Sequence, residues 1–235
     1  MPLLVDYLRP ESLDEAVSLL SRPHHIPLAG GTVINADRHR SQYVGVDLQS
    51  LGLDTITTEG DTSTVGAMVR VADIERRFSG DLLGVAARRE LPSTLRTIGT
   101  IGGAVASADR ESLLVAALLA SSATVTTADG VSTPLHVFLQ SPSGLITSVE
   151  LHTSTDWALE HTGRTPMDTP IVAVAGRRSS SGLIFAITGV SRVPVLARSS
   201  DEVEQLIPFS DFRGSSEYRH HLAVKLCQRV IGALS

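Results

Sequence analysis

A single cysteine, Cys227, stands in 235 residues. It excludes an internal disulfide and any self-contained four-thiolate zinc or iron–sulfur site, because those chemistries need several thiolates. Lysine is as scarce. Lys225 is the only one, and it lies in a basic, helically patterned tail rather than behind a glycine-rich loop, so a Gly-Lys-Ser/Thr phosphate loop is absent. Long apolar runs are also missing: the longest, 113–125, is interrupted by Ser121, Ser122 and Thr124 and falls short of the roughly 20 residues that a membrane-spanning helix needs. The opening Met1-Pro2-Leu3-Leu4-Val5-Asp6 has no basic start and no sustained apolar run, unlike a secretory signal, so a cytoplasmic location is expected.

Basic residues number 20 against 25 acidic ones, a formal charge of −5. The arginine pairs Arg76-Arg77, Arg88-Arg89 and Arg177-Arg178 are scattered and not interleaved with aromatics, which argues against nucleic acid as a partner. The eight histidines show no His-Glu-x-x-His spacing, and the adjacent pairs His24-His25 and His220-His221 cannot share one face of a helix or strand. No Gly-x-Ser-x-Gly elbow is present, and Cys227 sits inside an amphipathic pattern where an inert buried thiol is usual. No metal ligand and no catalytic nucleophile is therefore assigned. With 42% hydrophobic and 19% charged residues, the chain can still fill a core.

Ser12 with Glu15 three residues on forms a capping box, and Leu13, Ala16, Val17 and Leu20 follow at helical spacing. The apolar run 26–29 enters Gly30-Gly31-Thr32 and reads as a strand ending in a tight turn. Strands are expected at 43–48 and 64–69, and helices at 71–78 and 81–91. Residues 93–104 read as a Gly/Thr-rich loop before a helix at about 111–120, a place where unpaired N–H groups favour anions. Asp129-Gly130 marks a hairpin between 123–127 and 132–137, and 144–151 reads as a further strand. The polar stretch 153–169 is the expected domain boundary. Beyond it a hairpin, 170–177 with 183–190, precedes helices at 200–206 and 216–234.

Two segments share a construction. Ala29-Gly30-Gly31-Thr32 and Thr100-Ile101-Gly102-Gly103 each close a short apolar run with paired glycines and a threonine. Paired glycines let backbone N–H groups approach a phosphate closely, and the hydroxyl adds a donor. Neither segment is Gly-x-Gly-x-x-Gly, and no βαβ unit surrounds the second, so a Rossmann site is not indicated.

These segments, with Tyr7-x-Arg9-Pro10-x-Ser12-Leu13-Asp14-Glu15-Ala16-Val17, Leu95-Arg96-Thr97-Ile98-Gly99, Gly144-Leu145-Ile146-Thr147-Ser148-Val149 and Asp211-Phe212-Arg213-Gly214-Ser215-Ser216-Glu217-Tyr218-Arg219, resemble the FAD-binding medium subunits of molybdenum hydroxylases of the carbon monoxide dehydrogenase and xanthine dehydrogenase type. The resemblance implies an α+β fold: a two-part FAD-binding α/β domain of the PCMH type at 1–155, with subdomains at about 1–54 and 55–155, then a C-terminal antiparallel sheet with packed helices at 165–235. It implies FAD as cofactor, with both glycine bends holding the diphosphate through backbone amides. The implied cofactor-binding residues are Ala29, Gly30, Gly31, Thr32, Thr100, Ile101, Gly102, Gly103, Ser107, Leu145 and Ile146, the last two packing near the flavin ring. The implied partners are a large molybdopterin-binding subunit and a small [2Fe-2S] subunit, assembled as a dimer of heterotrimers. Electrons would pass through the FAD to NAD, oxygen or a quinone.

Three departures bear on the cofactor. Ala104 replaces the family's usual Asn, Ser112 or Glu111 falls where an Asp is expected, and Glu160 stands where some members carry a Lys. Each lost hydrogen bond costs on the order of 1 kcal/mol, roughly five- to tenfold in affinity. A flavin-free interaction subunit with a degenerate site is the alternative these residues raise.

Overall fold

The computed structural model describes residues 4–34, 42–163, 168–180 and 182–235. Its first layer is a parallel sheet in the order β1-β3-β2, from β1 (Leu4–Leu8), β2 (His25–Leu28) and β3 (Tyr43–Asp47), with α1 (Leu13–Leu20) between the first two strands in sequence. The expected capping box forms: Ser12 Oγ accepts the Glu15 N–H at 3.2 Å, and the Glu15 carboxylate accepts the Glu11 N–H at 2.9 Å. Ala16 and Leu19 of α1 then pack with Val46 of β3 in a small core of their own.

The second part builds an antiparallel sheet in the order β4-β5-β8-β6-β7. Its chain runs through β4 (Ile56–Glu59), β5 (Thr62–Gly66), α2 (Val71–Arg77), α3 (Leu82–Glu90), α4 (Ser93–Arg96), α5 (Ile101–Ser107), α6 (Leu113–Ala120), β6 (Thr124–Thr127), β7 (Ser132–Pro134), α7 (Leu135–Phe138) and β8 (Ile146–His152). The third part is a second antiparallel sheet, β12-β11-β10-β9, made by β9 (Trp157–His161), β10 (Ala173–Ser179), β11 (Gly182–Thr188) and β12 (Val195–Ala197), followed by α8 (Ser200–Glu204) and α9 (Ser216–Ala233).

Helix α6 joins the last two parts. All eight of its residues are apolar and buried, so it has no solvent face. The period-two alternation of β10 shows why the C-terminal sheet fits against it: Ala173 and Ala175 turn toward the core shared with α6, while Val172 and Val174 turn toward α9. On the α9 side a methyl group at Gly176 would sit 2.2 Å from Val230 Cγ1, so only glycine admits the helix that closely.

Several elements depart from the sequence reading. The expected loop 93–104 holds two short helices, and Thr100 is the N-cap of α5, its Oγ1 accepting the Gly103 N–H at 3.1 Å. Glycine's low helix propensity hid this helix, and a cap hydrogen bond together with packing overrides it. The strand expected at 132–137 ends at Pro134 and turns into α7, since proline removes a ladder donor and fits a helix entry. The polar stretch 153–169 contains β9, so the second sheet starts at Trp157, ahead of the expected 165. Among the described residues no helix is long and apolar enough to cross a membrane.

The α6 N-terminus is held by Glu90, whose carboxylate accepts the Ser112 hydroxyl at 2.6 Å and the Leu114 N–H at 2.9 Å. Burial is the main influence on this carboxyl and pushes its pKa up. A carboxyl whose folded-state pKa exceeds its unfolded value stabilises the fold at low pH and loses that contribution as pH rises through the folded value. Glu90→Gln keeps an acceptor for the Leu114 N–H and removes the charge, its amide nitrogen donating to Ser112 Oγ in place of the carboxylate oxygen that accepted from it. Its melting temperature relative to the wild type should therefore rise between about pH 4 and about pH 8. A difference that is flat or falling across that range in thermal unfolding would contradict the assignment.

Candidate functional site

The parallel sheet, α5 and the start of β8 enclose a cleft of about 840 Å³, within the range of small-molecule sites. It gathers residues that are far apart in the chain: Ala29, Gly30, Gly31 and Thr32 from the first bend, Thr100, Gly102, Gly103 and Ser107 from the second bend and α5, and Leu145 and Ile146 from the entry to β8. Ten of the eleven expected residues thus line one cavity. Ile101 does not. It opens α5 with its side chain fully buried in the main core, because one position of a helix that covers a core must face inward.

The two bends press on each other. A methyl at Gly30 would lie 1.9 Å from the Ile98 carbonyl oxygen, so glycine there is a condition of their contact. Gly31 has φ +67°, the left-handed region that glycine tolerates. The N–H groups of Gly30, Gly31 and Thr32 donate to no acceptor among the described residues. Consecutive free N–H groups around a left-handed glycine form a concavity suited to an anion.

The second bend differs in kind. The Ile101 N–H donates to the Val69 carbonyl at 3.0 Å, that of Gly102 to Ala67 at 2.9 Å, that of Gly103 to Thr100 Oγ1 and that of Ala104 to the Thr100 carbonyl at 3.0 Å. These four amides are engaged within the fold, so the backbone donor this bend leaves without an acceptor among the described residues is the Thr100 N–H. Gly102 is glycine for packing, since a methyl would lie 2.8 Å from the Ala67 carbonyl oxygen. Beside the Thr100 N–H this bend offers the cleft the Thr100 hydroxyl, which accepts from Gly103 and keeps its own proton to donate. Ser107 now gives its proton to the Ala104 carbonyl at 3.1 Å, and must rotate to donate to a ligand.

Further lining residues carried no local signal. Val17, Leu20, His25 and Tyr43 come from the first layer, and Met68 and Phe138 from the second part. Long-range packing brings them together, which no motif records. The described lining contains no Lys, Arg, Asp or Glu, so backbone and hydroxyl dipoles must meet any anion here. An apolar cleft with an amide concavity and the hydroxyls of Thr32, Thr100 and Ser107 fits a dinucleotide with planar rings and a central diphosphate.

The three departures fall elsewhere. Ala104 packs against the main core. Ser112 caps α6, accepting the Val115 N–H at 3.0 Å, and is bonded to Glu90. Glu160 lies on β9 with its carboxylate 3.9 Å from Arg229 of α9. None of the three lines the cleft.

Residues 3–151 match the family model described as the FAD binding domain in molybdopterin dehydrogenase. The chain belongs to this family, and FAD is its cofactor: the protein is the flavin component of an oxidoreductase. One chain of the carbon monoxide dehydrogenase of Hydrogenophaga pseudoflava superposes with a TM-score of 0.87 at 22% identity, over 100% of this chain and 98% of that one. A chain of quinoline 2-oxidoreductase from Pseudomonas putida 86 superposes with a TM-score of 0.83 at 22% identity, over 98% of each. These structures establish the fold. The uncharacterised protein YgfM of Escherichia coli K12 is 25% identical over 239 residues, covering 94% of this chain and 92% of that protein.

Gly30→Ala tests the contact between the bends. Forcing a methyl against the Ile98 carbonyl should cost about 1–3 kcal/mol in denaturant unfolding and weaken flavin retention along with it. Gly80→Ala is the control, since a methyl there meets nothing within 4 Å and its backbone, like that of Gly30, is not left-handed. Equal losses of flavin in both variants would show that the contact between the bends does not shape the cleft.

Proposed function

We propose that this chain is the electron-transferring FAD subunit of a molybdopterin-dependent hydroxylase or dehydrogenase, passing electrons from iron–sulfur clusters on a small partner to an external acceptor. The observation that carries it is the row of N–H groups at Gly30, Gly31 and Thr32 that have no acceptor among the described residues, set inside an apolar cleft beside the Thr100 hydroxyl. FAD, when bound, supplies a carrier that takes and gives electrons singly or in pairs, which suits a relay between one-electron clusters and a two-electron acceptor.

The chain's own residues bind and orient. The first bend holds the diphosphate by dipoles, without a counter-charge to lock it. Thr100 adds a hydroxyl donor from the opposite wall, and Leu145 and Ile146 give a planar ring an apolar surface. The described lining holds no carboxylate, lysine or arginine, and its histidine, His25, has Nδ1 2.9 Å from the Pro23 carbonyl, which matches a relay better than a substrate-oxidising centre. Oxidation of the organic substrate then belongs to a molybdopterin-binding partner. The single cysteine fits this division, because cluster ligands must come from another chain.

Titrating the purified chain with FAD, followed by quenching of flavin fluorescence, tests the proposal. The wild type should saturate at one FAD per chain, and Gly31→Val, which forces a β-branched side chain into left-handed backbone, should lose binding. Absence of flavin uptake by the chain and by its reconstituted complex would overturn the reading. If such a flavin-free chain still assembled with its partners, the interaction-subunit alternative would replace it. The engagement of the Ile101, Gly102 and Gly103 amides within the fold is the observation that keeps that alternative distinct.

A further inference from the structure

The helix that lines the cleft is tied to the C-terminal part by a cluster that flavin binding does not use. Helix α5 ends at Ser107, and Ala108 next to it has φ +46°, a left-handed backbone that a residue with a Cβ rarely adopts. Beyond it the chain is gripped from the C-terminal side. Arg110 Nη2 lies 3.3 Å from Asp211 Oδ2, its guanidinium stacks 4.4 Å from the centre of the Phe209 ring, and its carbonyl accepts the Gly189 N–H at 2.8 Å. Glu111 pairs with Arg213.

The surface that grips is itself fixed. Arg219 is fully buried, donates to the carbonyls of Ile171 at 2.9 Å and Gly189 at 2.7 Å, and stacks on Phe209 at 4.4 Å. Its Nη2 donates to Asp211 Oδ1 at 2.6 Å, and the same oxygen accepts the N–H groups of Arg213 and Gly214. Asp211 and Phe209 cannot shift without stranding a buried guanidinium. An isolated surface ion pair contributes little, but Arg110 meets a charge, a ring and a backbone donor that are all held in place.

We propose that Arg110 is a positioning residue for the flavin cleft: clasped by Asp211 and Phe209, it holds Ala108 in its left-handed conformation and so fixes the end of α5 that presents Ser107 to the cofactor. This rests on the FAD reading above. Thr100, Gly103 and Ser107 lie along the cleft side of α5 at three- and four-residue steps. A change of pitch at Ala108 therefore moves Ser107 first and Thr100 least.

Arg110→Ala in the full chain tests this with two readouts. In the FAD-free protein, amide hydrogen exchange over 105–108 should rise about tenfold, because the Ala108 N–H to Ala104 carbonyl bond, 3.0 Å in the wild type, loses its support. The dissociation constant for FAD should rise roughly three- to tenfold. Adding Ala108→Gly to Arg110→Ala should restore both, since glycine adopts the left-handed conformation unaided. A role confined to holding the two parts together would not be rescued at position 108. Phe209→Leu, which keeps the ion pair and removes the stack, should shift both readouts in the same direction if Arg110→Ala fails to fold. Unchanged exchange over 105–108, or no recovery with glycine at 108, overturns the proposal. If the wild type takes up no FAD, the FAD reading falls, while the exchange measurement and its rescue still decide whether Arg110 sets the end of α5.

Discussion

Everything in this molecule hangs on a helix that has no outside. Helix α6 offers apolar side chains in every direction, and such a helix is stable only where sheets or helices cover it all round. Helix α3 and the C-terminal sheet supply most of that cover, inside a core that also takes in Val65, Val125 and Val149 of the five-stranded sheet, so the second and third parts cannot be separated without exposing buried residues of α6. The polar needs of its first turn are met by Ser112 and Glu90. Because α5 precedes α6 by only a few residues, the buried helix also fixes where the cleft wall begins. The C-terminal part therefore bears on the cofactor site without lining it.

The sequence disclosed elements whose cause is local and hid those whose cause is distant. The capping box at Ser12 and Glu15, the turn at Asp129-Gly130 and the paired strands 170–177 and 183–190 rest on interactions within a few residues, and the structure contains all of them. Strand β9 was hidden because its polar neighbours look like a linker, and only pairing with β10 makes it a strand. Helix α5 was hidden because its glycines argue against a helix. The Thr100 cap and the packing of Gly102 on Ala67 explain it once the strand beside it is known.

The same division runs through the cleft. Glycine pairs and a threonine beside each could be found by spacing, the Leu145-Ile146 step only by family resemblance, and they converge on one cavity. Tyr43, His25 and Phe138 could not, because a lining residue from another layer leaves no mark in its own neighbourhood. The departures that seemed to weaken the site, Ser112 and Glu160, are occupied by helix capping and by a contact with Arg229. A residue's family position therefore predicted its chemistry less well than the hydrogen bonds it actually makes.

The two glycine pairs show how one dipeptide can answer two different demands. At Gly30-Gly31 the absence of side chains lets the bends touch and leaves a run of N–H groups without acceptors among the described residues, which is a binding property. At Gly102-Gly103 it lets α5 settle against Ala67 while its amides find partners inside the fold, which is a packing property. Free amides attract an anion, whereas engaged amides only place what stands beside them. In the proposed site the diphosphate grip is consequently asymmetric, with three consecutive backbone N–H groups on one wall and the hydroxyls of Thr100 and Ser107, beside the Thr100 N–H, on the other. Hydroxyls act through orientation, so the second wall works only as well as α5 is held. This is why control of the helix end at Ala108 matters more here than it would in a site gripped by amides on both sides.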